Sequence, residues 1–464
     1  MLKLNLCFKA NFLSNYLITY WRYLTVTVLK KPELLAPAGS LKHLHMALNF
    51  GADAVYAGVP KWSLRVRGNG FIKEDFQKGI EEAHKMGKKV HAVLNIIPHV
   101  RRVAAFKHIV DEMAELKPDA FIMADPGLID IVREQYPDIP IHLSVQANTV
   151  NAGSVKFWQK VGLTRCILAR ELSLTEIDMI KQECPDMEIE VFAHGALCIA
   201  VSGRCLISGL LSHRDANIGA CNNSCRYGFK VRNVHAATAD DVTTFEADDG
   251  TILSAQLEES MHHPNEWMTM EEDLNGSYLM NSKDLCTLPV LKRLIEIGVD
   301  SLKIEGRSRS PFYSAAISRA YRLAIDAICE GKEIPEISYN IVNSIPSRGY
   351  TTALLEPHRP DKTQDYETNS PNPGKLQICG EIKAQDDDGT LHIDVKNRFE
   401  KNSNIGIFTP QGLIKLDGST LCNEKDHKPL DVAPGTGWSV TLKHPQKIDL
   451  STAVMLRLDE NMQL

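Results

Sequence analysis

Apolar and polar positions follow a repeating pattern from Pro32 to about Ile334. Short apolar runs of strand length precede longer segments with helical periodicity, as where ELLAPAG is followed by SLKHLHMALNFG. Ser40 stands where an N-cap of that first helix is expected. Strand candidates of this kind, nearly all followed by a helix, are ELLAPAG, ADAVYAG, KKVHAVLNI, DAFIMADPG, IHLSVQANT, RCILARELS, EIEVFAHG and SLKIEGR.

This alternation predicts an α/β fold. Regular strand–helix repeats indicate a parallel sheet covered by helices. Eight units within residues 32–334 favour a (β/α)8 TIM-like barrel over an open doubly wound sheet. No G-x-G-x-x-G follows the first strand, so the usual dinucleotide-binding motif of the open sheet is missing.

The pattern changes in two places after the seventh strand. Residues 226–277 are polar and acidic, without clear periodicity, and are interpreted as an insertion before the eighth strand. Residues 335–374 are rich in Pro, Asp, Thr and Asn and are predicted to form a linker. Short β-like runs with Gly and Pro turns then predict a small all-β barrel or sandwich over residues 375–464, either an accessory, substrate-presenting module or a structural cap.

The first 31 residues are kept apart from the fold. Residues 1–28 are rich in aromatic side chains, but polar residues interrupt them and no A-x-A-like cleavage site follows, which argues against a secretory leader. The segment is either a helical or disordered extension or the product of a misassigned upstream start codon. The second interpretation is favoured.

Composition and charge exclude some classes of protein. The chain has 464 residues, of which 44% are apolar and 24% charged, as in ordinary multidomain globular proteins. No apolar run approaches the roughly 20 residues of a membrane span. The net charge of −6 argues against a protein that coats nucleic acid, but RVRG (65–68) and VRR (100–102) are local basic patches. Without a secretion signal, the cysteines are expected in a reducing cytoplasm.

Candidate chemistry lies where strands end, because the reactive groups of barrel enzymes lie at the carboxyl ends of their strands. Strand alternation through HLSVQANT would place only polar side chains on one face, which indicates either a wet cavity or a hydrogen-bonded network. Lys303 and Arg307 suit a carboxylate or phosphate. A single member, such as His194, is better explained as a structural core residue, whereas the whole set favours a polar active site. The candidates are His142, Ser144, Gln146, Asn148, Arg170, Glu171, Glu190, His194, Lys303, Glu305 and Arg307, with Asn281, Lys283 and Asp284 before the last strand.

Four cysteines follow the seventh strand at this same edge. Cys198, Cys205, Cys221 and Cys225 have the spacing C-x6-C-x15-C-x3-C. Structural zinc sites usually use two closely spaced pairs, and only the second pair approaches that spacing. The irregular spacing in a Gly-rich loop therefore favours an iron–sulfur cluster over zinc.

Several motifs resemble one protein family. EVFAHGALCIAVSGRCLISG, PELLAPAGS, GADAVYAG, HLSVQAN, NSKDLC and SLKIEGR are similar to blocks of the collagenase-like peptidase family of unassigned catalytic type, and most of all to a branch that acts in tRNA hydroxylation. The resemblance implies prephenate-dependent conversion of the wobble uridine of tRNA to 5-hydroxyuridine. It also implies an iron–sulfur cluster, expected to be 4Fe-4S, on Cys198, Cys205 and Cys221, with Cys225 or Cys286 as the fourth ligand.

The implied partners are tRNA and a small anionic metabolite. Arg170, Lys303 and Arg307 are then expected to hold prephenate carboxylates or RNA phosphate, and His142 or Glu305 to exchange protons. Two alternatives remain open. The first is a peptidase, as the family name suggests, although neither H-E-x-x-H nor G-x-S-x-G occurs. The second is a non-catalytic partner in RNA modification.

Overall fold

The computed structural model shows a barrel domain followed by an all-β domain. It describes residues 29–64, 71–197, 229–233, 253–259, 267–273, 276–277, 283–356 and 376–458. The strands up to residue 356 are β1 Glu33–Ala38, β2 Ala54–Gly58, β3 Lys89–Leu94, β4 Ala120–Met123, β5 Ile141–Leu143, β6 Arg165–Ile167, β7 Glu188–Ala196, β8 Phe229–Asn233, β9 Leu253–Glu259, β10 Trp267–Asp273, β11 Gly276–Ser277, β12 Asp284–Cys286, β13 Ser301–Ile304 and β14 Tyr350–Thr351.

Eight of these strands form a closed parallel barrel. Strands β1 to β7 pair in chain order, β13 pairs with β1, and β13 also pairs with β7, which closes the sheet. The predicted TIM-like barrel is therefore confirmed. All eight predicted runs form its strands, and helices follow them as α1 Leu41–Asn49, α2 Lys73–Lys85, α3 Val100–Glu115, α4 Pro126–Gln135, α5 Ala152–Lys160, α6 Leu174–Glu183, α7 Leu291–Ile297, α8 Pro311–Cys329 and α9 Glu336–Ser344.

Local sequence explains where several helices begin. Asp125 accepts a hydrogen bond from the backbone N–H of Leu128, and a proline occupies the first turn of α4. Ser173 and Glu176 form a capping box at α6. Ser40 stands at the N-cap of α1 as expected, but its side chain makes no capping bond, because its hydroxyl contacts His43 Nδ1 at 2.7 Å.

The segment between β7 and β13 contains regular structure. The sequence predicted an insertion over 226–277 but no elements within it, whereas β8 to β11 form a four-stranded antiparallel sheet. FKVRN and LSAQLEE alternate weakly, and these are the strands β8 and β9. Strand β12 then pairs antiparallel with the far end of β7, with Cys286 opposite His194.

The predicted linker, 335–374, begins with an ordered helix. Helix α9 packs on α8, and its Ile341 and Val342 are buried in the barrel-domain core. That core also includes Leu355, so the barrel domain continues past the predicted boundary. Residues 357–375 lie outside the described residues.

The C-terminal domain is all-β, as predicted, with its own apolar core. Phe408 joins it to the barrel by stacking on Phe50 at 5.1 Å and meeting Phe312 edge-on at 5.8 Å. In the described residues of both domains no helix is long and apolar enough to span a membrane. The strands are β15 Leu376–Gln385, β16 Thr390–Val395, β17 Phe399–Glu400, β18 Ile405–Thr409, β19 Gly412–Leu416, β20 Cys422–Asn423, β21 Val432–Ala433, β22 Ser439–Lys443 and β23 Val454–Leu458.

Candidate active site at the barrel mouth

A cavity of about 100 Å³ opens at the carboxyl end of the barrel strands, the end at which chemistry was expected. Tyr56, Val93, Ile122 and Phe192 contribute apolar and aromatic walls. This volume holds several water molecules or a small planar group. The cavity brings together six of the predicted residues, namely Ser144, Gln146, Arg170, Lys303, Glu305 and Arg307.

A hydrogen-bonded network fixes the orientation of two amides on the cavity wall. The backbone N–H of Leu64 donates to Asn95 Oδ1 at 3.1 Å, so Asn95 turns its Nδ2 toward Ser144 and Gln146. Gln146 Oε1 accepts from Asn95 Nδ2 and from Ser144 Oγ, both at 2.6 Å. The Nε2 group of Gln146 is therefore the part of this amide left to donate to a ligand.

Ser144 and Gln146 reach the cavity for a reason other than the predicted one. Strand β5 ends at Leu143, and residues Val145–Ala147 form a 3₁₀ turn. The prediction that strand alternation continues to Asn148 is therefore wrong. Asn148 has a left-handed backbone with φ of +51° and does not line the cavity.

Lys303 forms an ion pair beneath the cavity. Its Nζ donates to Glu190 Oε1 at 2.8 Å and lies 4.4 Å from the centre of the Tyr56 ring. Glu190 also accepts from Arg165 at 3.0 Å. Burial by itself would raise the pKa of Glu190, but the charges of Lys303 and Arg165 outweigh it and lower that pKa to about 2. Glu190 is therefore a fixed anion at neutral pH.

Arg165 extends this ion-pair network across the barrel interior. It contacts Glu33 at 2.6 Å and Glu188 at 2.8 Å, and its own side chain is almost fully buried. Buried ion pairs have to compensate a large desolvation cost, so such a network is kept only with good geometry.

Two predicted residues, Glu190 and His142, belong to this layer below the cavity rather than to its described lining. The His142 ring lies 4.8 Å from that of His91, edge to face. Burial lowers the pKa of His142 well below its usual value and that of His91 to about 3, so both rings are neutral at pH 7. The Nδ1 atoms of both rings are buried without a hydrogen-bond partner. The proposed proton exchange by His142 stays a prediction.

Among the described lining residues of the cavity mouth, cations outnumber carboxylates. The Arg170 guanidinium lies 3.8 Å from the centre of the Phe192 ring and 3.7 Å from a carboxylate oxygen of Glu305. Arg307 donates to the backbone carbonyl of Leu64. Three cations therefore face one lining carboxylate, with Glu190 below as a second. This arrangement suits an anionic ligand.

His194 faces away from the cavity. The β7–β13 register shifts between Lys303 and Ile304, so Phe192 pairs with Lys303 while His194 pairs with Ile304. The His194 ring consequently packs among Tyr313, Tyr321 and Tyr350, with ring centres 5.3 to 6.1 Å apart. Burial lowers its pKa to about 3.

Other predicted residues also lie away from the cavity. Glu171 and Lys283 are half-buried and do not belong to the described lining. Asp284 pairs with Arg309 at 3.1 Å.

Among the described lining residues that the sequence did not single out, three have polar or aromatic side chains. Asn95 ends the third predicted strand, KKVHAVLNI, so the rule about strand ends was sufficient to find it. Tyr56 and Phe192 lie within apolar strand runs, where nothing in the sequence distinguishes an inward ring from a core ring.

The predicted cluster ligands Cys198, Cys205, Cys221 and Cys225 lie outside the described residues, as does Asn281. Within the described ranges, no three His, Cys, Asp or Glu side chains are arranged to hold a metal ion. Cys286 is described. Its thiol is buried, Tyr321 OH lies 3.7 Å from its sulfur, and burial raises its pKa. The role of Cys286 as an alternative fourth ligand stays a prediction.

Comparisons with known proteins place the chain in one family. The family model "Peptidase family U32" matches residues 39–365, and "Peptidase family U32 C-terminal domain" matches residues 375–457. The chain is 44% identical to tRNA hydroxylation protein P of Escherichia coli K12, over 92% of this chain and 97% of the relative. It is 43% identical to tRNA hydroxylation protein P of Haemophilus influenzae, over 92% and 96%. A solved U32 peptidase structure matches with a TM-score of 0.36 at 12% identity, covering 59% of this chain and 93% of that chain.

Proposed function

The chain belongs to peptidase family U32, and from this premise we propose that it acts in tRNA hydroxylation, with the barrel-mouth cavity holding the base that is modified. Two relatives that match nearly its whole length are named tRNA hydroxylation protein P. The observation that carries the proposal is the Asn95–Ser144–Gln146 network, which presents one oriented amide donor to a cavity with aromatic walls.

The proposed base is uracil. A base inside an RNA loop has to leave its stack to enter such a cavity, and Tyr56 and Phe192 offer ring surfaces to receive it. Gln146 Nε2 would donate to O4 of uracil. Cytosine presents an amino group in place of O4, and two facing donors leave a buried polar group unpaired, which costs roughly 1–3 kcal/mol. The amide orientation thus favours uridine, and the proposed product is 5-hydroxyuridine at the wobble position.

The proposed co-substrate is prephenate or a related small dicarboxylate. Arg170 and Arg307 lie at the mouth with Glu305, above the Lys303–Glu190 pair, so one carboxylate bound there would balance the positive excess. Arginine suits this task because its planar guanidinium can bind a carboxylate through two hydrogen bonds.

The proposal includes an iron–sulfur cluster. Cys198, Cys205, Cys221 and Cys225 would hold it, and a bound cluster would supply electron transfer. The chain's own described residues would orient the base through Gln146 and hold the anion through Arg170 and Arg307. The buried, ionised Glu190 would hold Lys303 in place below them.

A peptidase is the second candidate, because the family carries that name. The cavity contains one serine hydroxyl, that of Ser144, which donates to Gln146 Oε1 and accepts from Asn95 Nδ2. In the described part of the cavity, therefore, this hydroxyl is hydrogen-bonded to amides and not to a base that would activate it.

Nucleoside analysis of tRNA from a deletion strain tests the proposal. We expect 5-hydroxyuridine and its derivatives to disappear, to return with the wild-type gene, and to stay absent with Gln146→Ala or Cys205→Ser. The matched control is Gln159→Ala, because Gln159 is exposed on α5. Unchanged nucleosides in the deletion strain would reject the function. Rescue by Cys205→Ser would favour a non-catalytic partner. Cleavage of gelatin by the purified wild type but not by Ser144→Ala would favour the peptidase.

A further inference from the structure

One surface beside the cavity is both basic and apolar. It consists of Lys61, Ile97, and residues 99–102, and is called the VRR rim here. Val100 is 85% exposed and Ile97 is 41% exposed. A β-branched apolar side chain so fully in water contributes nothing to the core of this domain, so Val100 is available to contact a ligand.

The VRR rim is attached directly to the cavity wall. Arg102 donates to the backbone carbonyl of Lys61 at 2.5 Å, and its guanidinium lies 4.7 Å from the centre of the Trp62 ring. The backbone N–H of Ile96 donates to the carbonyl of Trp62 at 3.3 Å. A second bond between the same two loops joins Leu64 to Asn95, and both of these residues line the cavity. The rim therefore lies next to Leu64 and Asn95 of the described cavity wall.

The charge of the rim is of one sign. Lys61, Arg101 and Arg102 are basic, and the sequence from 95 to 110 contains no carboxylate. Arg101 is exposed and forms no ion pair with any residue that the structure describes. The whole chain has a net charge of −6, so this local excess runs against the average. A surface of this kind attracts polyanions.

Helix stability does not explain the two arginines. Arg101 and Arg102 occupy the first turn of α3, which has no acidic residue. The amino end of a helix prefers anions, and a cation there costs on the order of 0.3–1 kcal/mol. Arg102 contacts Lys61 and Trp62, whereas Arg101 pairs with no carboxylate that the structure describes, so the position of Arg101 indicates contact with a ligand outside the protein.

We propose that the VRR rim binds the RNA strand next to the nucleotide held in the cavity. Lys61 and Arg101 contact phosphates, and Val100 and Ile97 pack against an unstacked neighbouring base. Single-stranded loops offer both groups at once, because their bases are splayed from a charged backbone. The inference rests on the proposed function and adds the surface through which that function reaches its RNA.

Binding of an unmodified tRNA transcript, measured over a range of salt concentrations, tests the inference. For Arg101→Ala we expect the slope of log Kd against log salt to fall by about 0.7 and Kd to rise roughly fivefold at 0.1 M salt, since one phosphate contact to a single strand is lost. For Val100→Ser we expect a weaker Kd with an unchanged salt dependence, because the lost contact is uncharged. The control is Lys85→Ala, whose exposed lysine lies in the last turn of α2, at the opposite end of the barrel.

Wild-type affinity and salt dependence in both rim variants would overturn the inference, as would an equal loss in Lys85→Ala. The inference would also be overturned if the wild-type protein bound no tRNA but bound an acidic protein, and if Arg101→Ala lost that binding. The binding experiment tests the rim separately from the proposed function, because nucleoside analysis of the deletion strain tests that function. Nucleosides that disappear on deletion, together with unaffected binding by the rim variants, leave the function standing and reject the rim.

Discussion

Lys303 Nζ lies 2.8 Å from Glu190 Oε1 beneath the barrel-mouth cavity, and both side chains are buried. The two residues differ in whether each has a second ion-pair partner. Glu190 keeps Arg165 at 3.0 Å if Lys303 is removed, whereas no second carboxylate lies within ion-pair distance of Lys303 in the described residues. Removing one partner of a buried pair is costly when the other charge is left alone.

Glu190→Gln is therefore expected to destabilise the protein more than Lys303→Met does. We expect a loss of about 3–5 kcal/mol in the free energy of unfolding for Glu190→Gln, and a smaller loss for Lys303→Met. Urea denaturation measures both. The surface control is Lys156→Met, which breaks an exposed pair with Glu183 and is expected to leave the urea midpoint almost unchanged. Equal losses for the two buried variants would contradict this asymmetry.

The buried histidines make the barrel sensitive to acid. Burial holds the pKa of His91 and of His194 at about 3, against 6.5 for a histidine in water. The unfolded chain therefore binds more protons between these values, and stability falls as pH drops from about 6.5 toward 3. Each histidine accounts for roughly 2 kcal/mol of that loss at pH 5.

His194→Phe isolates one share of this acid sensitivity. The ring already packs among tyrosines and its Nε2 has no hydrogen-bond partner, so phenylalanine is expected to be tolerated at pH 7. The free energy of unfolding, measured by urea denaturation, should then fall less between pH 7 and pH 5 in the variant than in the wild type. The difference should equal about the contribution of one histidine. A pH dependence identical to that of the wild type would show that His194 is not a buried neutral ring.

Gln146→Glu tests the orientation of the cavity amide. The carboxylate can still accept from Asn95 and Ser144, but it replaces the Nε2 donor by a second acceptor. We expect the protein to fold and the modification of uridine to fall at least tenfold, since roughly 1.4 kcal/mol already changes a rate tenfold. Nucleoside analysis of the complemented deletion strain measures this, with Gln159→Glu on α5 as the control. Full activity in Gln146→Glu would exclude the proposed donor role.

Phe408 is expected to hold the two domains together. It is almost fully buried between Phe50 and Phe312. Phe408→Ala leaves a cavity there and should cost about 3–5 kcal/mol. Limited proteolysis should then cleave between the domains faster than in the wild type. The exposed Phe157→Ala serves as the control, and equal cleavage rates in both variants would contradict the assignment.

Reading the carboxyl ends of strands from the sequence located much of the site. Arg170, Lys303, Glu305 and Arg307 were found in this way, and all four line the cavity. Ser144 and Gln146 were also found, but the prediction assumed that strand alternation continues through them. Strand β5 ends before them, at Leu143. His194 was placed at the same edge and lies elsewhere, because the register shift in β7 changes which side chains face inward. A shift of one residue leaves no trace in the spacing of apolar positions.

The amino-acid sequence by itself determined the number and order of the barrel strands and the all-β character of the second domain. These follow from local periodicity, which every short segment carries independently. Only the tertiary structure decided which polar side chains line the cavity and which are buried below it. Glu33 and Arg165 are 132 residues apart in the sequence, yet they form an ion pair inside the barrel. This pair belongs to the layer of fixed charge that lies below the cavity. Pairing across such distances depends on how the sheet closes, and no local pattern encodes it.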